Sequence, residues 1–278
     1  MKYLTWEITA PERPGAQNVE KETAAVTAYL LDWSVEERRQ VRPAVVVCPG
    51  GGYRFVSPRE GEPIAMQYLS MGYHVFVLQY TVAPARFPTA LWQLALLMSQ
   101  LREHSGEWAV DPEKIVVSGF SAGGHLACSL GVFWNQEFVY GPLGCRAGDI
   151  RPDGMILCYP VITSGPYCHA GSFEKLLGEE AGDEEKRSLV SLEKQVGPHT
   201  PNTFLWHTAT DDTVPVENSL LLAQALSKHK VGLELHIYPT GGHGLSLATE
   251  DTSAGDERRT EPRCQSWIRL AGEWLGNL

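Results

Sequence analysis

The sequence lacks the usual features of a membrane-spanning or metal-binding chain. Its 278 residues contain no apolar run close to the 18 residues that suggest a transmembrane helix. The six cysteines form no CxxC pair and have no regular spacing, and neither an HExxH motif nor a carboxylate-rich loop is present. We therefore expect no metal, no cofactor and no membrane association, and we expect free thiols in a reducing compartment.

Positive charge is also scarce. Lys and Arg number 23 against 33 Asp and Glu, which gives a formal net charge of −10. A chain this acidic has no general attraction for phosphates, so neither nucleic acid nor an anionic membrane surface is an expected partner. The first seven residues lack the apolar core of a secretory signal, so we expect a cytoplasmic protein. The sequence leaves open whether the chain forms a homo-oligomer.

Short apolar runs alternate with longer amphipathic stretches along the chain. Runs that are apolar on both faces are typical of parallel strands covered by helices, and their alternation with helices predicts an α/β fold. At this length we expect a single domain over residues 1–278. The predicted strands are 24–32, 43–48, 74–80, 114–118, 154–159, 203–207 and 233–238, and the predicted helices are 60–71, 88–104, 122–134, 215–229 and 262–276.

One segment interrupts this alternation. Residues 163–200 lie between two predicted strands and contain a charge-rich stretch from Glu174 to Arg187. We interpret the charges as a solvated helical face. Because open α/β sheets bind ligands at the carboxyl ends of their strands, an insertion at this point can cover a site. We therefore predict a small lid or insertion over residues 163–200.

The motif Gly119-Phe-Ser-Ala-Gly123 fits G-x-S-x-G. Taken alone it is weak, because an ordinary glycine-rich strand–helix turn has the same form. Here the motif follows a predicted strand and a predicted helix begins near Ala122. A sharp turn of this kind exposes the serine hydroxyl, with a helix N-terminus behind it to stabilise negative charge. We predict that Ser121 is a nucleophile.

A serine hydroxyl is a poor nucleophile without a base. The run Gly241-Gly-His-Gly244 follows the last predicted strand, and its small residues allow the His243 imidazole to approach a serine. A histidine base needs an acid to fix its tautomer and stabilise its cation, and Asp211 or Asp212 could reach it. Asp212 lies nearer a predicted helix start and is interpreted as a cap, so we predict Asp211 as the acid.

A Pro-Gly-Gly-Gly turn ends the predicted strand at 43–48. Acyl transfer builds an oxyanion that preorganised backbone N–H groups stabilise, and consecutive glycines let the backbone approach a substrate. The predicted donors are the N–H of Ala122 and that of Gly50 or Gly51. Tyr53 and Arg54 follow the turn and are candidate substrate-binding residues, although both could equally be plain surface residues.

Together these motifs resemble the α/β-hydrolase superfamily, in particular its esterase/lipase branch with an HGGG-type oxyanion loop, where Pro49 replaces the histidine. The likeness is nearest to small bacterial acetyl-xylan-esterase-like and feruloyl-esterase-like proteins and extends over about residues 20–276. It implies a mostly parallel sheet of about eight strands flanked by helices. The family's acid stands in a D-x-x-V-P motif, which places it at Asp211.

The expected function is hydrolysis of carboxylic esters with short acyl groups through an acyl-enzyme. Residues 163–200 are few and charged, which does not suit the large apolar lid of a lipase. The expected substrate is a small-molecule ester such as an acetylated oligosaccharide. Two alternatives stay open. One is a small serine peptidase or aminoacyl hydrolase of the prolyl oligopeptidase type, and the other is a non-catalytic binding protein on the same scaffold.

Overall fold

A computed structural model describes residues 1–13, 22–32 and 41–278 of the chain. In the described residues eight strands form one sheet: β1 (Lys2–Thr9), β2 (Thr23–Leu30), β3 (Arg42–Cys48), β4 (His74–Gln79), β5 (Val110–Phe120), β6 (Gly154–Cys158), β7 (Thr203–Thr208) and β8 (Leu233–Tyr238). Their order across the sheet is β1-β2-β4-β3-β5-β6-β7-β8. Only the pairs β1–β2 and β2–β4 are antiparallel, which confirms the predicted mostly parallel sheet.

Helices follow most of the strands. The α-helices of the described residues are α1 (Glu62–Ser70), α2 (Thr89–Glu103), α3 (Ser105–Trp108), α4 (Ala122–Phe133), α5 (Glu137–Tyr140), α6 (Ala147–Ile150), α7 (Ala170–Leu177), α8 (Glu184–Leu189), α9 (Glu217–Lys228), α10 (Glu250–Ser253) and α11 (Trp267–Gly276). Short 3₁₀ turns lie at Pro58–Glu60, Gly141–Leu143, Gly178–Gly182, Leu192–Lys194, Glu257–Arg259 and Cys264–Ser266. All five predicted helices are present, as α1, α2, α4, α9 and α11.

The sheet is covered on both faces, which explains why its central strands are apolar throughout. On one face α1 and α11 contribute Tyr68 and Trp267 to a core in which the Trp267 ring stacks on Trp206 of β7, with centroids 5.3 Å apart. On the other face α2 and α4 contribute Leu94 and Leu126. Burial of apolar area on both faces stabilises the three-layer arrangement.

The sequence analysis missed β1. Its residues Leu4, Trp6 and Ile8 alternate with exposed ones, the period-2 pattern of a strand with one buried face. Trp6 packs toward α2, where its indole Nε1 donates a hydrogen bond to Gln100 Oε1 at 3.0 Å. The pairing of β1 with β2 moves β2 one position in from the edge of the sheet.

The segment 163–200 contains α7 and α8. The apolar side of α7, with Phe173, Leu176 and Leu177, is buried in the main core. Its charged residues lie at the surface, which agrees with the interpretation of the charge run as a solvated face. The apolar side of α7 is therefore used for packing.

Several chemical features follow from the same fold. All six cysteines are free thiols. Across residues 1–13, 22–32 and 41–278, no helix combines the length and apolar character needed to cross a membrane. The same residues contain no group of three or more His, Cys, Asp and Glu side chains placed to hold a metal ion.

The first turn of α4 packs against the end of β3 so closely that there is no room for a side chain between the two backbones. A Cβ atom added to Gly123 would lie 2.0 Å from the Cys48 carbonyl oxygen and 2.3 Å from that of Pro49. A Cβ atom on Gly119 would lie 2.2 Å from the Gly123 carbonyl oxygen. Since backbone atoms cannot yield as a flexible side chain can, both glycines of the G-x-S-x-G motif are needed for this approach.

Gly123→Ala should therefore destabilise the protein, because its methyl group forces α4 away from β3. We expect the free energy of unfolding to fall by about 1–3 kcal/mol, the usual cost of overpacking. Gly148→Ala in α6 is the matched control, since nothing lies within 4 Å of its added Cβ atom. Chemical denaturation of the three proteins measures the difference. Equal midpoints for Gly123→Ala and wild type would contradict the close approach.

Candidate active site

A cleft of about 390 Å³ opens at the carboxyl edge of the sheet, between the turns that follow β3, β5, β7 and β8. Residues 169–175 at α7 and the 3₁₀ turns near residues 58–60 and 257–259 complete its walls. The lining residues are Gly51, Gly52, Arg54, Phe55, Ser57, Arg59, Glu60, Ser121, His169, Gly171, Lys175, Thr213, His243, Gly244 and Arg259.

Ser121 lies between β5 and α4 with φ 52° and ψ −116°. A non-glycine residue in this conformation carries backbone strain of about 1–3 kcal/mol, so the surroundings must hold it there. Its N–H donates to the Cys158 carbonyl at 3.0 Å, and its own carbonyl accepts from the N–H groups of His125 and Val161. These bonds fix the turn that presents the Ser121 side chain to the cleft.

The structure brings Ser121, His243 and Asp211 into one line of hydrogen bonds. The Ser121 Oγ lies 2.7 Å from His243 Nε2, and His243 Nδ1 lies 2.7 Å from Asp211 Oδ2. Asp212 is exposed, and among the described residues it accepts only from the Thr213 hydroxyl, at 3.3 Å. Of the two candidate acids, Asp211 is thus the one that contacts the imidazole.

The Asp211 carboxylate is buried and accepts four hydrogen bonds. Its Oδ1 accepts from the N–H groups of Thr213 and Val214 at 3.0 and 2.9 Å, and its Oδ2 accepts from His207 Nε2 and His243 Nδ1. Burial raises the pKa of Asp211, but the hydrogen bonds from His207 and His243 outweigh it and hold the pKa below its ordinary value. Asp211 therefore stays ionised beside the imidazole at neutral pH.

His207 is a member of this network that the sequence analysis did not identify. Its side chain is fully buried in β7, with Nδ1 2.7 Å from the Ser219 hydroxyl. Its Nε2 faces two acceptors, Asp211 Oδ2 at 3.1 Å and the Val214 carbonyl at 3.0 Å, so Nε2 carries the proton. The only signal in the sequence is a polar residue inside an apolar strand.

The turn after β3 is held by a buried carboxylate. The N–H of Gly50 donates to Glu60 Oε2 at 2.8 Å, and Glu60 is only 2% exposed. Glu60 Oε1 accepts from the Tyr159 hydroxyl at 2.6 Å, and that hydroxyl accepts from the Ser246 N–H at 2.8 Å. Sequence reasoning did not find Glu60, because nothing in Pro58-Arg-Glu60 marks this acid as buried.

This bond corrects the prediction for Gly50. Its N–H is already committed to Glu60, so Gly50 is not available as an oxyanion donor. Among the described residues, the N–H groups of Gly51 and Ala122 have no hydrogen-bond acceptor. Gly51 lines the cleft, and Ala122 is the first residue of α4, next to the Ser121 hydroxyl.

Tyr53 also differs from its predicted role. Its side chain is 3% exposed and its hydroxyl lies 2.9 Å from His125 Nδ1, while His125 Nε2 donates to the Val190 carbonyl. Burial lowers the pKa of His125 to about 4, so the imidazole is neutral and accepts from Tyr53. Tyr53 is thus a core residue that does not line the cleft, whereas Arg54 is exposed and does.

Comparison with known proteins identifies the family of the chain. The BD-FAE family model matches residues 31–148, and the model of the prolyl oligopeptidase family matches residues 97–261, more than half of the chain. Endo-1,4-beta-xylanase B of Butyrivibrio fibrisolvens is 40% identical over 234 residues, which cover 82% of this chain. The chain spans only 35% of the length of that relative.

Two solved structures match the chain over nearly all of both proteins. The acetyl ester-xyloside bifunctional hydrolase of Caldicellulosiruptor lactoaceticus is 36% identical, with a TM-score of 0.80 over 97% of this chain and 96% of that one. The carboxylesterase Cest-2923 of Lactobacillus plantarum WCFS1 is 28% identical, with a TM-score of 0.85 over 100% and 98%. The chain therefore belongs to the prolyl oligopeptidase family within the α/β-hydrolase superfamily, alongside the carboxylic ester hydrolases that it matches along its full length.

Proposed function

We propose that this protein hydrolyses carboxylic esters through an acyl-enzyme, with Ser121 as nucleophile, His243 as base and Asp211 as acid. The observation that supports it best is the pair of 2.7 Å contacts that join the three side chains at the wall of the cleft. Each contact is within the reach that general-base catalysis requires. Because all three side chains are present, the alternative of a non-catalytic binding protein that lacks a triad residue is disfavoured.

The steps follow from this arrangement. His243 Nε2 takes the Ser121 proton as Oγ attacks the ester carbonyl, and Asp211 stabilises the imidazolium that forms. The N–H groups of Gly51, which lines the cleft, and of Ala122, which follows Ser121, have no acceptor among the described residues and are the proposed donors to the oxyanion. His243 then gives its proton to the leaving alcohol. Water, activated by the same imidazole, hydrolyses the acyl-enzyme.

The lining of the cleft favours short acyl groups. Phe55 is the one large apolar side chain among its lining residues, and most of the others are small, polar or charged. Residues 163–200, the proposed lid or insertion, contribute only His169, Gly171 and Lys175 to the lining. A long acyl chain would find little apolar surface to bury. The relatives named for xylan or xylosides make an acetylated carbohydrate the proposed natural ester.

A second candidate function is hydrolysis of peptide or aminoacyl amide bonds. It rests on the match of residues 97–261 to the prolyl oligopeptidase family. The same side chains could attack an amide carbonyl, with His243 protonating the leaving amine. A panel that pairs aminoacyl 4-nitroanilides with 4-nitrophenyl esters separates the two functions. Faster turnover of the anilides would favour the peptidase.

Removing the nucleophile or the acid should abolish most of the activity. Ser121→Ala and Asp211→Asn should each lower kcat/KM for 4-nitrophenyl acetate by roughly 10³- to 10⁴-fold, because a triad acts as a unit. Asp212→Asn is the matched control and should stay within about twofold of wild type. Steady-state kinetics on folded variants provide the measurement. Equal losses in the two Asp variants would refute the assignment of the acid.

Loss of the hydrogen bond between Glu60 and the Gly50 N–H should lower kcat more than it weakens substrate binding. In Glu60→Gln the new amide cannot accept from both Gly50 and Tyr159, so the oxyanion turn loses one support. A hydrogen bond to a charged group contributes about 1.5–3 kcal/mol, so we expect kcat to fall about tenfold or more with little change in KM. The exposed neighbour Glu62 provides the control, Glu62→Gln. A variant with wild-type kcat would show that Glu60 does not position the turn.

Acyl-chain length tests the preference for short acyl groups. We expect kcat/KM to be highest for 4-nitrophenyl acetate or propionate and to fall toward octanoate, because the cleft offers little apolar surface on which each added CH₂ could gain the roughly 0.8 kcal/mol that burial provides. Acetylated xylo-oligosaccharides should also be deacetylated. A steady rise from acetate to octanoate would contradict the short-acyl preference, and inert xylo-oligosaccharides would contradict the carbohydrate substrate alone.

A further inference from the structure

The cleft is lined by positive charge although the chain as a whole is acidic. Four cationic side chains line it, Arg54, Arg59, Lys175 and Arg259. Among the described residues, Glu60 is the one acid in the lining, and its two oxygens accept from Gly50 and Tyr159. In a chain of net charge −10, a cluster of cations in the cleft that contains Ser121 points to an anionic group on the substrate.

Most of these cations have no carboxylate partner in the protein. Within the part of the chain that the structure describes, no acidic group forms an ion pair with Arg54, Arg59 or Lys175. Arg259 has one carboxylate contact, from its Nε to Asp256 at 3.7 Å, and its Nη1 donates to the Ser253 carbonyl at 3.3 Å. The positive charge in the cleft is therefore largely uncompensated.

Arg59 is held in place for contact with a ligand. Its Nη1 donates to the Gly244 carbonyl at 3.0 Å and to the Thr252 carbonyl at 2.8 Å. Both bonds use Nη1, and the Nη2 and Nε groups of Arg59 have no acceptor among the described residues. Because carbonyl groups orient the guanidinium without neutralising it, its remaining N–H groups stay free to bind a carboxylate.

Two of the cations lie along the loop that carries His243. Gly244, which accepts from Arg59, adjoins His243. On the other side of the histidine, a Cβ atom on Gly242 would lie 3.8 Å from the Arg258 carbonyl oxygen, which places the chain at Arg259 beside this loop. Since His243 gives its proton to the leaving alcohol, Arg59 and Arg259 lie on the side of the cleft where the alcohol leaves.

We propose that the alcohol part of the natural ester carries a carboxylate, bound by Arg59 and Arg259. This inference rests on the proposed ester hydrolysis and narrows its substrate class to esters of hydroxy acids. Among carbohydrates, an acetylated oligosaccharide that contains a uronic acid has this chemistry. Arg59 and Arg259 then act as specificity-determining residues that contact the substrate away from the reacting atoms.

Matched substrate pairs test the charge and its position. The first pair is 3-acetoxybenzoate and 3-acetoxybenzamide, which differ only in a charge on the alcohol part. The second pair is the phenyl monoester of glutaric acid and the corresponding monoamide, which differ in a charge on the acyl part. We expect kcat/KM to favour the anion at least tenfold in the first pair and less than threefold in the second. Added NaCl should reduce the first preference, because salt screens charges in an open cleft.

Variants identify the residues responsible. Arg59→Gln and Arg259→Gln should each reduce the anion-to-amide ratio of the first pair by at least threefold. Arg258→Gln is the matched control, since Arg258 is 87% exposed and lies outside the cleft lining. It should leave the ratio unchanged. Arg59→Gln removes the two hydrogen bonds to carbonyl groups and can disturb the His243 loop. Arg259→Gln leaves those two bonds in place, so it tests the proposal independently.

The outcomes separate this inference from the proposed function. Equal hydrolysis of both members of the first pair would overturn the anionic substrate and leave the esterase intact. A preference confined to the second pair would overturn the placement on the alcohol part. Failure to hydrolyse any ester, in folded protein, would overturn the proposed function and this inference with it.

Discussion

The contact between the first turn of α4 and the end of β3 sets the geometry of the active site. Because Gly123 has no side chain, the backbone of α4 can pack directly against the Cys48 and Pro49 carbonyl groups. This approach brings Ser121 and the N–H of Ala122 next to the glycine turn after β3. The proposed nucleophile Ser121 and the proposed oxyanion donor Gly51 come from segments about 70 residues apart in the chain, so their spacing depends on this close packing.

Buried carboxylates then fix the two groups that flank the serine. Asp211 accepts four hydrogen bonds and orients His243, and Glu60 accepts two and orients the glycine turn and Tyr159. Each carboxyl group is tolerated inside the protein because hydrogen-bond donors replace its hydration. Arg59 differs from these acids, because only its Nη1 forms hydrogen bonds with the described residues of the protein. Both carboxyl oxygens of Asp211 and of Glu60 accept hydrogen bonds within the protein, whereas Nη2 and Nε of Arg59 have no acceptor among the described residues. The two acids shape the site, and Arg59 is the group that we propose binds a ligand.

The resulting chemistry suits the family to which the chain belongs. The proposed Ser121, His243 and Asp211 triad acts without a cofactor, so we expect specificity to come from the walls of the cleft. Those walls come from several regions of the chain, including the start of α7 in the segment between β6 and β7. Because the apolar side of α7 packs in the core, this segment offers the cleft only polar and small groups. The same scaffold could accept other substrates if that segment changed.

Local pattern in the sequence predicted seven of the eight described strands and the five helices α1, α2, α4, α9 and α11, and it selected Ser121, Asp211 and His243 for the proposed triad, because each depends on periodicity or on short motifs after a strand. It missed β1, whose alternation is brief, and it placed Tyr53 in the site and Gly50 among the donors. Those two outcomes depend on partners distant in sequence, His125 for Tyr53 and Glu60 for Gly50. Only the tertiary structure decided that Glu60 and His207 are buried and that several cations line one cleft. No local sequence pattern indicates which distant side chains become neighbours in the fold.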